Sequence, residues 1–133
     1  MARRLGIGQT SGFELAGEKQ GLVPTPDWKR AMYGDAWQKG DSLNTAVGQG
    51  YLLTTPLQLA VMTARLVNGG WAVTPHLTRS VGDELSQDTL TRVVPKSIDL
   101  SHETLAIITR GMGQVVNHVS GTAYSARIEE ARF

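Results

Sequence analysis

An α+β chain, mainly helices and loops with a short β-hairpin, is what three features of the sequence predict. Thr55 offers a side-chain oxygen at an N-cap, and Pro56 takes the first helical position, where its missing N–H costs nothing. From Leu57 the apolar residues Ala60, Val61, Ala64 and Val67 keep the i, i+3, i+4 rhythm of a buried stripe. Asn68-Gly69-Gly70 supplies the stop, so a core helix is expected from Pro56 to Asn68. Ser101 caps a second helix, with Glu103 favourable in its first turn and Leu105, Ile108, Met112, Val115 and Val116 as its buried stripe. Between the two, residues 71–74, 77–81 and 90–94 read as short extended segments around Pro75 and a polar turn at 82–88. Together they predict a surface hairpin.

The rest of the chain is less regular. Gly6 to Gly12 is turn-rich, Phe13-Glu14-Leu15 is a short extended piece, and Gly17 and Gly21 interrupt the stretch after it. Pro24-Thr25-Pro26-Asp27 opens a short helical or 3₁₀ turn over Trp28 to Met32. Trp28 and Trp37 are large enough to pin these loops to a core. The block from Gly40 to Tyr51 sets glycines at 40, 48 and 50 among polar Asp41, Ser42, Asn44 and Gln49, which predicts a loop and not a helix. Gly111 and Gly113 weaken the second helix, and at this spacing they suit the close approach of another backbone better than a ligand.

Composition excludes several classes of function. At 133 residues and 41% apolar the chain can hold one core, and 13 basic against 12 acidic residues leave a net charge of +1. Arg3-Arg4 and Lys29-Arg30 are isolated pairs, read as solvated surface, and no basic stripe interleaved with aromatics points to nucleic acid. With no cysteine there are no disulfides or thiolate metal sites. No apolar run reaches the roughly 18 to 20 residues of a membrane span, and the N-terminus lacks the apolar core of a signal peptide. Any anchor is expected outside this chain.

The candidate catalytic motifs are incomplete. Ser42-Leu43-Asn44 matches an S-x-N pattern, which in serine acyl-transfer enzymes accompanies an S-x-x-K nucleophile and a K-T-G strand. The nucleophile needs a lysine one helical turn after a serine, yet Ala16, Pro26, Ala36 and Val93 precede Lys19, Lys29, Lys39 and Lys96 by three. Ser120-Gly121-Thr122 has no lysine ahead of it to clamp a substrate carboxylate. His76, His102 and His118 have no partner at metal-ligand spacing, and Glu103 beside His102 points away from it on a helix. The pairs Gly6/Gly8, Gly48/Gly50 and Gly111/Gly113 meet Ser11, Leu53 and Val116 where G-x-G-x-x-G requires its third glycine. Asp83-Glu84 and Glu129-Glu130 read as solvated pairs and not as the facing carboxylates of a hydrolase. No catalytic, cofactor-binding or metal-binding residue is expected in this chain.

A family resemblance supplies the function that local chemistry does not. Leu5-Gly6-Ile7-Gly8, Thr10-Ser11-Gly12-Phe13-Glu14-Leu15, Gly17-Glu18, Gly21-Leu22-Val23-Pro24 and Trp28-Lys29 resemble, in order, the segment after the S-x-N motif of class B penicillin-binding proteins. Gly40-Asp41, Val47-Gly48-Gln49-Gly50-Tyr51 and Thr55-Pro56-Leu57-Gln58-Leu59-Ala60 resemble most closely the elongation-specific D,D-transpeptidases among them. Asn68-Gly69-Gly70, Pro75-His76-Leu77, Val115-Val116-Asn117 and Gly121-Thr122-Ala123 continue the likeness nearly to Phe133.

The resemblance implies a partial β-lactamase/transpeptidase-like domain over residues 1–133, its central segment, lacking S-x-x-K, the true S-x-N and K-T-G. It implies a parent enzyme in which a serine attacks a D-Ala-D-Ala stem peptide, releases D-alanine and passes the acyl group to an amine on a neighbouring strand. β-Lactams acylate the same serine. The implied setting is the periplasmic face of the bacterial inner membrane, with peptidoglycan stem peptides as substrate, cell-elongation proteins as partners and no cofactor. The K-T-G strand is expected shortly after Phe133, and this chain by itself is expected to be inactive scaffold. Two other readings stand beside it. One is a self-standing helical interaction module derived from such a domain, whose exposed apolar faces would pair with a partner or with themselves. The other is an independent enzyme using Ser42.

Overall fold

The computed structural model describes residues 1–14, 16–77 and 96–128. A 3₁₀ turn at Ala2–Leu5 is followed by the helices α1 (Pro26–Tyr33), α2 (Lys39–Ala46), α3 (Pro56–Val67) and α4 (His102–Asn117), and a second 3₁₀ turn at Tyr124–Ala126. Extended pairing among the described residues is limited to two antiparallel bridges, Leu22 with Leu53 and Trp71 with Ser97. The predicted hairpin falls largely on residues 78–95, outside the described residues, as does Leu15 of the extended piece predicted at 13–15.

Helix α3 begins where its sequence signals place it. Thr55 Oγ1 accepts the Gln58 N–H at 3.1 Å, Gln58 Oε1 accepts the Thr55 N–H at 3.1 Å, and Pro56 fills the first position. The helix stops at Asn68, beyond which Gly69 and Gly70 hold φ of 88° and 85°. Its buried face matches the predicted stripe only in part, at Val61. Val61, Leu66 and the polar Gln58 are buried, whereas Ala60 and Val67 face outward. The reason is tertiary: α4 and the N-terminal 3₁₀ turn both pack on α3, and their directions select which side is covered.

Gln58 is the most enclosed side chain among the described residues, with 0% exposure. Its amide nitrogen donates to the carbonyls of Gln9 and Gln20, each at 2.8 Å. Its oxygen accepts from the Thr55 N–H and from Thr54 Oγ1 at 3.2 Å. Both donors and both lone pairs are therefore used, as a buried amide requires. The two carbonyls bound by the amide nitrogen stand at either end of the turn-rich stretch 9–20, so one side chain fastens both ends of that loop to α3.

Helix α4 is capped by Ser101, whose hydroxyl accepts the Thr104 N–H at 3.1 Å. Leu105 is buried, Ile108, Met112 and Val116 are half-buried, and Val115, expected in the buried stripe, is instead exposed at 42%. Gly111 and Gly113 do not serve a close approach among the described residues, since nothing lies within 4 Å of where a Cβ would stand on either. That role belongs to Gly121. There the chain doubles back against the end of α4, with Gly121 N–H to the His118 carbonyl at 2.8 Å and Ala123 N–H to the Val115 carbonyl at 3.1 Å. A Cβ on Gly121 would press into the Val115 carbonyl oxygen.

A small core of Ile7, Val61, Leu66, Ile98 and Leu105 joins the N-terminal turn, α3, the 96–100 strand-like segment and α4. Two arginines bind its rim through backbone carbonyls. Arg65 donates to the carbonyls of Arg4 at 3.0 Å and Val73 at 3.2 Å, and Arg4 reaches across to the carbonyls of Ile98 and Asp99. Arg4, predicted as solvated surface, is thus a cross-link between segments 94 residues apart.

Gln58→Ala leaves two carbonyls and the Thr55 N–H without their partner, so a loss of about 3 kcal/mol in denaturant unfolding is expected. Gly121→Ala is expected to cost about 2 kcal/mol through the forced clash, whereas Gly113→Ala, on an open helical face, is expected to stabilise by about 0.5–1 kcal/mol. Paired melting curves of the two alanine variants check the contrast.

Candidate functional site

The block from Gly40 to Tyr51 carried most of the functional expectation, and its first half is a helix, contrary to the predicted loop. Asp41 accounts for the difference. One oxygen of its carboxylate accepts the Gln38 N–H at 2.7 Å, which caps the start of α2, and also the Lys29 ammonium at 2.6 Å. The pair ties α2 to α1. Only the second half turns as a glycine-rich loop, with Gly48 and Gly50 both at φ 75° and the Gln49 N–H on the Asn44 carbonyl at 2.8 Å.

Helix α1 presents the lysine because its own start is fixed: Thr25 Oγ1 accepts the Trp28 N–H at 3.1 Å, and Pro26 follows at the first position. Lys29 was expected on the solvated surface, yet its side chain is 7% exposed and that of Asp41 13%. The hydrogen bond from Lys29, and then that from the Gln38 N–H, hold the Asp41 carboxyl below its ordinary value. The same contact raises Lys29 above the usual lysine value. A lysine so engaged cannot serve as a general base at neutral pH.

Aromatic rings cluster between α1 and the loop end at Tyr51. Trp28 meets Tyr33 and Tyr51 edge-on with centroids 5.8 and 5.3 Å away, and Tyr33 and Tyr51 stand 5.3 Å apart. Trp28 therefore pins the loop end at Tyr51 to α1, as expected of a large ring in this stretch. Trp37 acts on α2, donating its indole N–H to Ser42 Oγ at 2.8 Å.

That bond decides the reading of Ser42. Its hydroxyl lies exposed on α2 with the Trp37 indole as its hydrogen-bond partner among the described residues, and neither a lysine nor a histidine reaches it. The S-x-N match at 42–44 is a stretch of capped helix. Ser120-Gly121-Thr122 forms, with Gly111, Gln114, Val115 and His118, the wall of an open groove of about 420 Å³ beside the end of α4. His118 Nδ1 lies 2.7 Å from Ser120 Oγ and takes the Ser120 N–H at 3.3 Å, a contact that closes the turn after the helix. His76 and His102 are exposed and apart from it, and no group of three His, Asp or Glu side chains able to hold a metal occurs among the described residues.

Residues 1–132 match the family model of the penicillin binding protein transpeptidase domain. The chain belongs to that family. Among similar curated proteins, the peptidoglycan D,D-transpeptidase MrdA of Haemophilus influenzae is 34% identical over 91% of this chain and 19% of its own length. MrdA of Acinetobacter baumannii is 42% identical over 59% of this chain and 12% of its own length. Among solved structures, Pseudomonas aeruginosa PBP2 in complex with WCK 5153 aligns with a TM-score of 0.75 at 34% identity, covering 93% of this chain and 28% of that one. Helicobacter pylori PBP2 in complex with MreC aligns with a TM-score of 0.76 at 33% identity over 93% of this chain and 22% of that one.

The chain thus spans about a fifth of the length of the curated relatives it matches most fully. Its helices and loops are a part of the α+β fold of a PBP2-type transpeptidase domain. The buried Lys29–Asp41 pair, at the two positions Trp28-Lys29 and Gly40-Asp41 that carried the family likeness, was missed from sequence because twelve residues of separation leave no local signal.

The pH dependence of the pair is set by the directions of its shifts. Asp41 contributes stability above its ordinary value of 3.8 and loses it as pH falls through its lower folded value. Lys29 contributes below its ordinary 10.5 and loses it as pH rises through its higher folded value. Denaturant unfolding across pH is expected to show both limbs, and Asp41→Asn is expected to remove the Lys29 limb and flatten much of the acid one.

Proposed function

We propose that this chain is the central scaffold of a peptidoglycan D,D-transpeptidase of the PBP2 type, and that the catalytic serine and its partners lie in parts of the complete protein outside residues 1–133. The observation that carries this reading is the match of the transpeptidase family model to nearly the whole chain, in a segment where no serine among the described residues is hydrogen-bonded to a lysine. The chemistry of the complete protein is acyl transfer through a serine ester: the serine attacks the D-Ala-D-Ala carbonyl, D-alanine leaves, and an amine of a neighbouring stem peptide takes the acyl group. β-Lactams are taken by the same serine. The contribution of this segment is rigid support, since Gln58 and the Lys29–Asp41 pair fix its long loops against helices.

The location that goes with this function is the periplasmic face of the bacterial inner membrane. No helix among the described residues is long and apolar enough to cross a membrane, and an anchor in another part of the complete protein is part of this proposal. The H. pylori relative in complex with MreC supports a cell-elongation partner of that kind for the complete protein.

Intact-mass measurement after incubation with a penicillin tests the reading. The full-length protein is expected to gain one β-lactam adduct, the 133-residue chain none, and full-length Ser42→Ala is expected to acylate as the wild type does. An adduct on the isolated chain that vanishes in Ser42→Ala would instead make this segment an enzyme in its own right.

A further inference from the structure

Helix α4 carries more apolar surface than the described residues cover. Leu105, Ile108, Met112 and Val116 form its buried or half-buried side, and α3 packs on this helix. Beside them runs a second row, Ile107, Gly111 and Val115, whose spacing of four stacks them one above another along the helix. Ile107 is 67% exposed and Val115 42%, and nothing lies within 4 Å of where a Cβ would stand on Gly111. Glu103, Arg110 and Asn117 mark the polar side of α4, and the row falls between that side and the core side. At its far end it runs into the open groove that Gly111 and Val115 help to line. The imbalance is general: among the described residues, fourteen large hydrophobic side chains are exposed against five that are buried, the signature of surface awaiting a cover.

The nature of the cover follows from two observations, on the reading that this chain is a segment of a transpeptidase. Solved relatives that align along 93% of this chain hold the matching part as only 28% and 22% of their own chains, so most of the complete protein lies outside residues 1–133. A cover from the same chain also costs no loss of free translation and rotation, which a separate partner has to overcome. The second observation is the make-up of the row. Ile107, Gly111 and Val115 include no aromatic ring and no arginine, the residues that anchor contacts between separate proteins. We propose that this row is an interior packing face of the complete protein, covered by an apolar segment of its own chain from outside residues 1–133, which comes nearest at Gly111.

The test uses the purified full-length protein. Gly111→Ala is expected to lower its thermal unfolding midpoint by about 3 °C or more, because the added methyl meets the covering segment. Gly113→Ala, on the polar side, is expected to raise the midpoint as a glycine replaced on an open helix face does. If Gly111→Ala raises it as well, the row faces solvent and the proposal is overturned. Thiol labelling tests the same face with a variant that introduces no clash. With the label read by peptide mass at the substituted position, Ile107→Cys is expected to react about a hundredfold more slowly than Ala106→Cys, on the exposed side. Equal rates overturn the proposal, and so does protection of Ile107→Cys that fades on dilution, which would make a second copy the cover. Penicillin acylation of the wild-type protein reports separately on the transpeptidase reading.

Discussion

The amide of Gln58 is the point on which the arrangement of this chain depends. A fully enclosed polar side chain is tolerated only when each of its hydrogen-bonding positions is met, and here the partners come from three separate places: the loop end at Gln9, the loop end at Gln20, and the Thr54-Thr55 entry to α3. The same residue completes the cap of its own helix and closes the loop that precedes it. Neighbouring contacts depend on that closure. Gly21 stands against the Leu53 carbonyl and the Gln58 oxygen, and the adjacent Leu22 pairs with Leu53 through N–H to carbonyl bonds of 2.8 and 3.0 Å.

A second constraint works at a different level. The apolar core is small, with five buried hydrophobic residues among those described, so much of the order in the N-terminal half rests on polar fasteners. Lys29 with Asp41, Trp37 with Ser42 and Arg65 with the carbonyls of Arg4 and Val73 each join segments that would otherwise be held only by chain connectivity. Such fasteners are directional, and they fix geometry more than they add stability. On the function proposed above, that is what a scaffold within a transpeptidase domain has to provide, because a displaced loop displaces whatever reacting group it supports.

In this member of the transpeptidase family, two serines within motif-like triplets have structural partners. Ser42 and Ser120 illustrate how a motif-like triplet is used structurally. The first receives an indole N–H on a helix surface, and the second closes a turn with His118. In neither case does a lysine stand where a proton acceptor is needed.

The sequence by itself determined the features whose physics is local. Thr25-Pro26, Thr55-Pro56 and Ser101 each mark a helix start that the structure keeps, because a cap needs only the next three residues. It also determined the family, whose blocks are read in order along the chain. Tertiary structure alone decided that Gly40–Ala46 belongs to a helix, since Asp41 is held by a lysine twelve residues away. It decided, too, that Gln58 and not Val67 lies on the inner face of α3, and that Gly121 rather than Gly111 or Gly113 meets another backbone. Periodicity can locate a helix but not its neighbours: which face is buried, and which polar group finds a partner there, is set by segments that approach from elsewhere in the chain.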